Sequence, residues 1–284
     1  MATGGRKKLA PYLLTLPGVG FLLLFFAVPM ATVLSVSFQE GSLSKGFTFT
    51  GHYQNYTDML SRYDTQLIRS LWFGLIVTVL TLVISYPMMY WIAFRGGRRK
   101  NVYLLLILLP FFTPFLIRTL MWKTIFADEG ILLGALKDIG ILPESYQVLA
   151  TATAVVAGMT YNFLPFMALP LYVSLEKMDP RLLDAAADLY SSRRQAFLKV
   201  TLPLSLPGVF AGSLLTFIPA VGDPIDPELL GGVNTTMIGQ VVQREMLTNN
   251  AYPRGSAISF MLMAAILIGV FLYARALGTE EMTG

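Results

Sequence analysis

Six stretches of this chain are apolar over lengths that no ordinary strand or surface helix requires. They run from about Leu13 to Phe38, Leu67 to Phe94, Val102 to Ile125, Leu149 to Leu175, Leu204 to Val221 and Ala257 to Ala274. About 20 helical residues cross the ~30 Å hydrocarbon layer of a bilayer. Within lipid, only a helix or a closed barrel satisfies its own backbone hydrogen bonds. The pattern therefore predicts an all-α, polytopic membrane protein with six transmembrane helices. Only 13% of the 284 residues are charged, against about 25% in soluble domains, too few to cover a water-soluble globule. Arg6, Lys7 and Lys8 precede the first stretch as they would a secretory signal. The stretch is long for one, and Pro29 interrupts the place of a cleavage site, so a retained helix is expected.

The basic residues give the orientation. Thirteen of the 21 Lys and Arg residues fall on one side of this topology, among them Arg6, Arg98, Arg99, Lys100, Arg193 and Arg275. Positive residues stay in the cytoplasm during insertion, so both termini are expected inside a cytoplasmic (inner) membrane. The outer loops are then about 39–66, 126–148 and 222–256. None is long enough to form a separate domain, so residues 1–284 read as one transmembrane domain, with a core over 67–274. Trp72, Trp91 and Trp122 fit interfacial belts.

Several chemistries are excluded. There is no cysteine, and His52 is the single histidine, so no thiolate or imidazole metal cluster is available. No Gly-x-x-x-x-Gly-Lys-[Ser/Thr] phosphate loop occurs, and the Gly4-Gly5-Arg6-Lys7-Lys8 run has the wrong spacing. If ATP drives this protein, another chain binds it. The spans hold no His, Cys or paired-carboxylate set for a membrane-embedded enzyme.

The longest cytoplasmic loop, residues 176–203, is strongly patterned. Asp179 suits an N-cap and Pro180 the first helical position. Leu182, Ala186 and Leu189 recur at helical spacing. Ser192-x-x-Gln195 is a capping box that starts a second helix, and Leu202-Pro203 leads into the fifth span. Two short amphipathic helices are expected. Physics alone leaves two readings open, a hairpin resting on lipid headgroups or a knob that docks into a partner's groove.

The loop resembles the cytoplasmic signature of binding-protein-dependent ABC importer permeases: Glu-Ala-Ala, three residues, Gly, nine residues, Ile, one residue, Leu-Pro. Here Asp184 takes the Glu place, followed by Ala185 and Ala186. Tyr190 takes the Gly place, Val200 the Ile place, and Leu202-Pro203 match. Asp keeps the carboxylate with a shorter reach, whereas Tyr replaces a residue that tolerates a left-handed turn. The resemblance spans nearly the whole chain and is closest to the spermidine/putrescine subgroup. It is carried there by Leu109–Trp122, by Tyr161-Asn-Phe-Leu-Pro-Phe166 and by Phe217-Ile-Pro-Ala-Val-Gly-Asp-Pro-Ile-Asp-Pro-Glu-Leu-Leu-Gly-Gly232.

The resemblance implies the type I importer fold, with this chain as the first of two permease subunits. It implies partners: a second permease, two ATPase subunits that bind ATP and Mg²⁺, and an extracytoplasmic solute-binding protein. No cofactor in this chain and no nucleic acid are implied. Asp184, Ala185, Ala186, Leu189 and Tyr190 would contact the ATPase. Ferric iron, sulfate or another small solute remains an alternative substrate, and an ATP-independent channel or secondary transporter an alternative class.

For a polycationic substrate, carboxylates supply charge-assisted hydrogen bonds and aromatic faces supply cation–π attraction. Asp223, Asp226 and Glu228 cluster just past the fifth span. Either they line the pathway or dock the binding protein, or Asp226 caps a short outer helix while Asp223 and Glu228 are solvated. Tyr161 and Asn162 form a polar pair within a span, pointing either to a lumen or to helix–helix packing. Arg118 is expected to snorkel to the interface or to pair with an outer carboxylate.

Overall fold

The computed structural model describes residues 15–179, 181–188 and 191–276. By internal contacts the chain forms two compact units, residues 1–62 with 242–263, and residues 63–241 with 264–284.

The first unit begins with α1, Thr15–Ser37, whose apolar core has no buried residue. Leu22, Phe25 and Phe26 are fully outward-facing side chains, a liability in water and an ordinary exterior in lipid. A small hairpin follows, β1 (Gln39–Ser42) pairing antiparallel with β2 (Gly46–Phe49), Gln39 opposite Phe49. Then α2, Gln54–Arg95, starts, and its first turns are tied back. The Asn55 amide donates to the carbonyls of Ser37 and Gln39, both at 3.0 Å. The Tyr56 and Ser37 hydroxyls lie 2.6 Å apart, and His52 pairs with Glu40. The same unit holds buried Glu245, which accepts from the Asn249 amide at 3.1 Å and faces Arg254.

The second unit is a helical bundle. Helix α2 passes a non-helical residue at Tyr63 and continues to Arg95. The third apolar stretch, expected as one span over Val102–Ile125, is instead two helices, α3 (Gly97–Phe112) and α4 (Phe115–Ile125), bent by 90°. The cause is local. Pro114 bars its predecessor from the helical region, and Thr113 and Pro114 are both extended, with ψ of 136° and 138°. Apolar character runs unbroken across the bend, which is why the hydropathy pattern hides it. Among the described residues five helices are long and apolar enough to cross a membrane alone, and the bent pair brings the spans to six.

After α5 (Ile131–Asp138) come α6 (Ala152–Glu176), α7 (Arg181–Asp188) and α8 (Arg193–Gly222). Helices α6 and α8 pack together closely because Gly208 and Gly212 sit one turn apart on the contact stripe. A Cβ on Gly208 would lie 2.8 Å from the Pro170 carbonyl oxygen, and one on Gly212 would lie 2.9 Å from that of Met167. Small residues at such spacing let helix backbones approach in lipid, where packing rather than the hydrophobic effect drives association. Helix α6 also joins two apolar clusters. One combines Phe73 and Val77 of α2 with Val155, Met159 and Phe163. The other combines Met89 and Ile92 of α2 with Ala168, Leu171 and Leu175.

The loop over residues 176–203 takes a simpler form than two separate amphipathic helices. Asp179 caps α7, its carboxylate accepting from the Arg181 N–H at 3.0 Å. The capping box at Ser192 forms, with the Gln195 N–H donating to the Ser192 hydroxyl at 3.3 Å and the Ser192 N–H to the Gln195 side chain at 2.9 Å. The second helix then does not stop before the fifth span. It runs on as α8 through a π turn at Phe197–Thr201. The Leu202 N–H bonds the Phe197 carbonyl, a one-residue register shift. That shift lies just before Pro203, whose ring and missing N–H disturb an α-helical ladder.

The chain continues with α9 (Ile225–Leu230), α10 (Ile238–Gln243) and α11 (Tyr252–Ala276).

Candidate functional site

Two places carry the sequence-derived candidates, and both lie in the second unit. The first surrounds α9. Pro224 bars Asp223 from the helical region, so α8 ends at Gly222 and the chain turns at Asp223, which is extended. The Asp223 carboxylate accepts from the N–H of Ile225 at 2.9 Å and of Asp226 at 3.4 Å. Asp223, not Asp226, therefore caps this short helix, and it is buried rather than solvated.

Asp226 is fully buried. Its Oδ1 accepts from the Thr119 hydroxyl at 2.6 Å and from the Asn162 amide at 2.9 Å. The same amide lies 3.1 Å from Oδ2 and 3.0 Å from the Thr119 oxygen. One carboxylate thus ties α9 to α4 and to α6. Burial pushes both aspartates above the ordinary carboxylate range. For Asp223 the rise reaches about 8, from desolvation first and the neighbouring Asp226 charge second. The Thr119 and Asn162 hydrogen bonds pull Asp226 the other way. Two carboxyls this close in a dry site favour sharing a proton over both ionising.

Arg118 does not snorkel. It is 6% exposed, with its guanidinium 5.2 Å from the Phe111 ring and 5.7 Å from the Phe115 ring. Its charge acts on Asp226 without a direct ion pair. Glu228 stands apart from the aspartates. It is exposed, and its carboxylate accepts from the Gln240 amide at 2.6 Å. Tyr161 and Asn162 are divided by the helix turn. Asn162 points into the bundle, while Tyr161 is 38% exposed and meets Trp122 edge-on at 5.2 Å. Neither Thr119 nor Gln240 stands out in the sequence by type or spacing from the many hydroxyls and amides of the chain.

The second place is α7. Asp184 and Ala185 are exposed and Ala186 is buried, so the signature residues divide between the two sides of the helix; Leu182, expected on the apolar stripe with Ala186, is 44% exposed. Leu189 and Tyr190 lie outside the described residues. Nothing here is arranged as a nucleophile, base and orienting group, and no group of three or more metal-type ligands occurs among the described residues.

Several helices long and apolar enough to cross a membrane, with the short helix α7 just before α8, define a polytopic helical membrane protein. The family model described as "Binding-protein-dependent transport system inner membrane component" matches residues 85–277. The chain belongs to that family, the permease subunits of ABC importers, and is a multi-pass inner-membrane protein. It is 38% identical over 90% of its length to the spermidine/putrescine transport system permease protein PotB of Haemophilus influenzae, covering 90% of that protein. It is 34% identical over 91% of its length to PotB of Escherichia coli K12, covering 94% of that protein. A chain of a bacterial ABC transporter involved in the import of the acidic polysaccharide alginate superposes with a TM-score of 0.71 at 18% identity, over 96% of each chain. That likeness establishes the type I importer fold alone.

Proposed function

We propose that this chain is the translocation subunit of an ATP-driven importer of spermidine and putrescine. The observation that supports the substrate is the 38% identity to a spermidine/putrescine permease across nine-tenths of both chains. The proposed assembly adds a second, similar permease, two ATPase subunits that hold ATP and Mg²⁺, and an extracytoplasmic binding protein. Both termini face the cytoplasm. The chain makes and breaks no covalent bonds and carries no cofactor.

In this reading the exposed Asp184 and Ala185, with Leu189 and Tyr190 beyond them, dock in the ATPase. Closure of the ATPase pair displaces α7. The displacement passes into α8, which runs from Arg193 to Gly222 without a break and ends at the Asp223–Asp226 turn. Coupling of this kind is a rigid-body switch. Exposed Glu228, which holds the Gln240 amide through one carboxylate oxygen, and the exposed face of Tyr161 are the groups placed to meet a polyamine, by charge-assisted hydrogen bond and by cation–π attraction. Asp226 is committed to Thr119 and Asn162.

The test is ATP hydrolysis by the reconstituted complex with its binding protein. Stimulation by spermidine or putrescine is expected. Stimulation by another solute alone would remove the polyamine. Gradient-driven transport by the purified chain without an ATPase would remove the importer reading itself.

A further inference from the structure

Among the described residues, an apolar groove and a basic cluster that the functions above leave unused adjoin one another. The groove, about 490 Å³, lies between α2 and α3 and is lined by Pro87, Met88, Trp91, Tyr103, Leu106 and Ile107. All of these side chains are apolar or aromatic. Trp91 and Tyr103 meet edge-on at 5.2 Å across it. Its rim faces outward, with Trp91, Val102 and Leu106 exposed, so in a bilayer it opens to the lipid.

At one end the groove is continued by charge. Arg95 stands one turn beyond Trp91 on α2. Arg99 stands one turn before Tyr103 on the segment that opens α3. Arg98 lies in the tight connection between them, where Gly97 adopts a positive φ of 52°. All three arginines are exposed, and none has an ion-pair partner among the described residues. Their neighbour Lys100 is paired with Glu176, so the arginines form the uncompensated part of the cluster. Trp and Tyr at such a boundary mark headgroup depth. Basic pockets between transmembrane helices at a membrane surface suit anionic headgroups.

We propose that this groove is a binding site for an anionic phospholipid, with an acyl chain against Met88 and Leu106 and the phosphate among Arg95, Arg98 and Arg99. A zwitterionic lipid fills the groove equally well but carries an ammonium into a field of three arginines. Selectivity therefore rests on the headgroup and retention on the groove. The site commits to a lipid rather than to free phosphate because the arginines alone are solvated and mutually repulsive. The apolar channel adds what they lack.

The assembled importer, purified in mild detergent, is titrated with phosphatidylglycerol and with phosphatidylethanolamine, and retained lipid is read by native mass spectrometry. One phosphatidylglycerol held per copy of this chain is expected, with phosphatidylethanolamine lost. Arg98→Gln with Arg99→Gln lowers phosphatidylglycerol retention by roughly tenfold or more, since each basic contact contributes about a fivefold factor. Arg193→Gln with Arg194→Gln removes the same charge elsewhere on that side and leaves retention unchanged. Leu106→Trp, at an exposed position where a larger side chain is accommodated, also lowers retention. Equal retention of both lipids, or equal losses from the two double substitutions, would show diffuse attraction and overturn the site. So would an unaffected Leu106→Trp protein, or a complex that retains no lipid because the second permease covers the groove.

Discussion

The Asn162 amide lies within hydrogen-bond distance of both oxygens of the buried Asp226 carboxylate, at 2.9 and 3.1 Å. Two segments 64 residues apart in sequence are joined by that contact, and Thr119 brings in a third. Truncating a partner of a buried acceptor leaves part of it unsatisfied, which costs about 1–3 kcal/mol and more for a charged group. Asn162→Ala and Thr119→Val are each expected to lower the thermal stability of the solubilised protein. The double variant should lose less than the sum, because all three groups act as one network. Strict additivity in that cycle would refute the network.

The carboxyl pair carries a pH dependence. Unfolded, both groups titrate near 4. Folded, burial holds the Asp223 proton to about 8. Between those values the native state binds more protons than the unfolded one, so stability is greatest at the acid end. It falls as pH rises toward 8 and levels beyond. Asp223→Asn keeps an acceptor for the Ile225 N–H and cannot ionise. The variant should therefore gain stability over wild type at alkaline pH and flatten the slope. Unfolding midpoints across this range decide it, and a slope the substitution leaves intact would assign the titration elsewhere.

Gly212 lies against Met167 with no room for a methyl group. Gly212→Leu should prevent close packing of α6 on α8, destabilising by roughly 1–3 kcal/mol or more, the usual range for overpacking. Reduced accumulation in the membrane and a lower unfolding temperature are the expected signs. Leu215→Ala, at an exposed position of the same helix, serves as the control and should change neither.

The exposed Asp184–Ala185 face of α7, proposed above to meet the ATPase, allows a separation of folding from function. Ala185→Arg adds bulk and charge at an exposed position of α7. Membrane insertion and unfolding temperature should stay unchanged while ATP-dependent uptake falls by an order of magnitude or more. Uptake at the wild-type rate would show that this face does not meet the ATPase.

What could be read from the sequence follows the range of the interactions involved. The spans were legible because each is a contiguous run of apolar residues, and the capping box was legible because Ser192 and Gln195 are three residues apart. The break at Thr113–Pro114 is local too, but a long apolar run outweighs Pro110 and Pro114. The environment of Asp226 was not legible at all. Its partners lie 107 and 64 residues away, and nothing in the Asp-Pro-x-Asp-Pro pattern says which aspartate faces the backbone and which the bundle. Arg118 misled for a related reason, since the aromatic rings above it come from residues that equally suit a lipid-facing helix.

The Asp226 contact also bears on the order of synthesis. Thr119 and Asn162 leave the ribosome well before Asp226, so two polar groups wait in a growing bundle for their acceptor. They have an interim arrangement at hand. The Asn162 amide lies 3.0 Å from the Thr119 oxygen, and the Thr119 hydroxyl lies 3.2 Å from the carbonyl of Phe115 in its own helix. The nascent chain can hold this relay closed without a carboxylate. The Thr119 hydroxyl thus has both the Phe115 carbonyl and the Asp226 carboxylate within reach, and rotation about one bond exchanges the two acceptors.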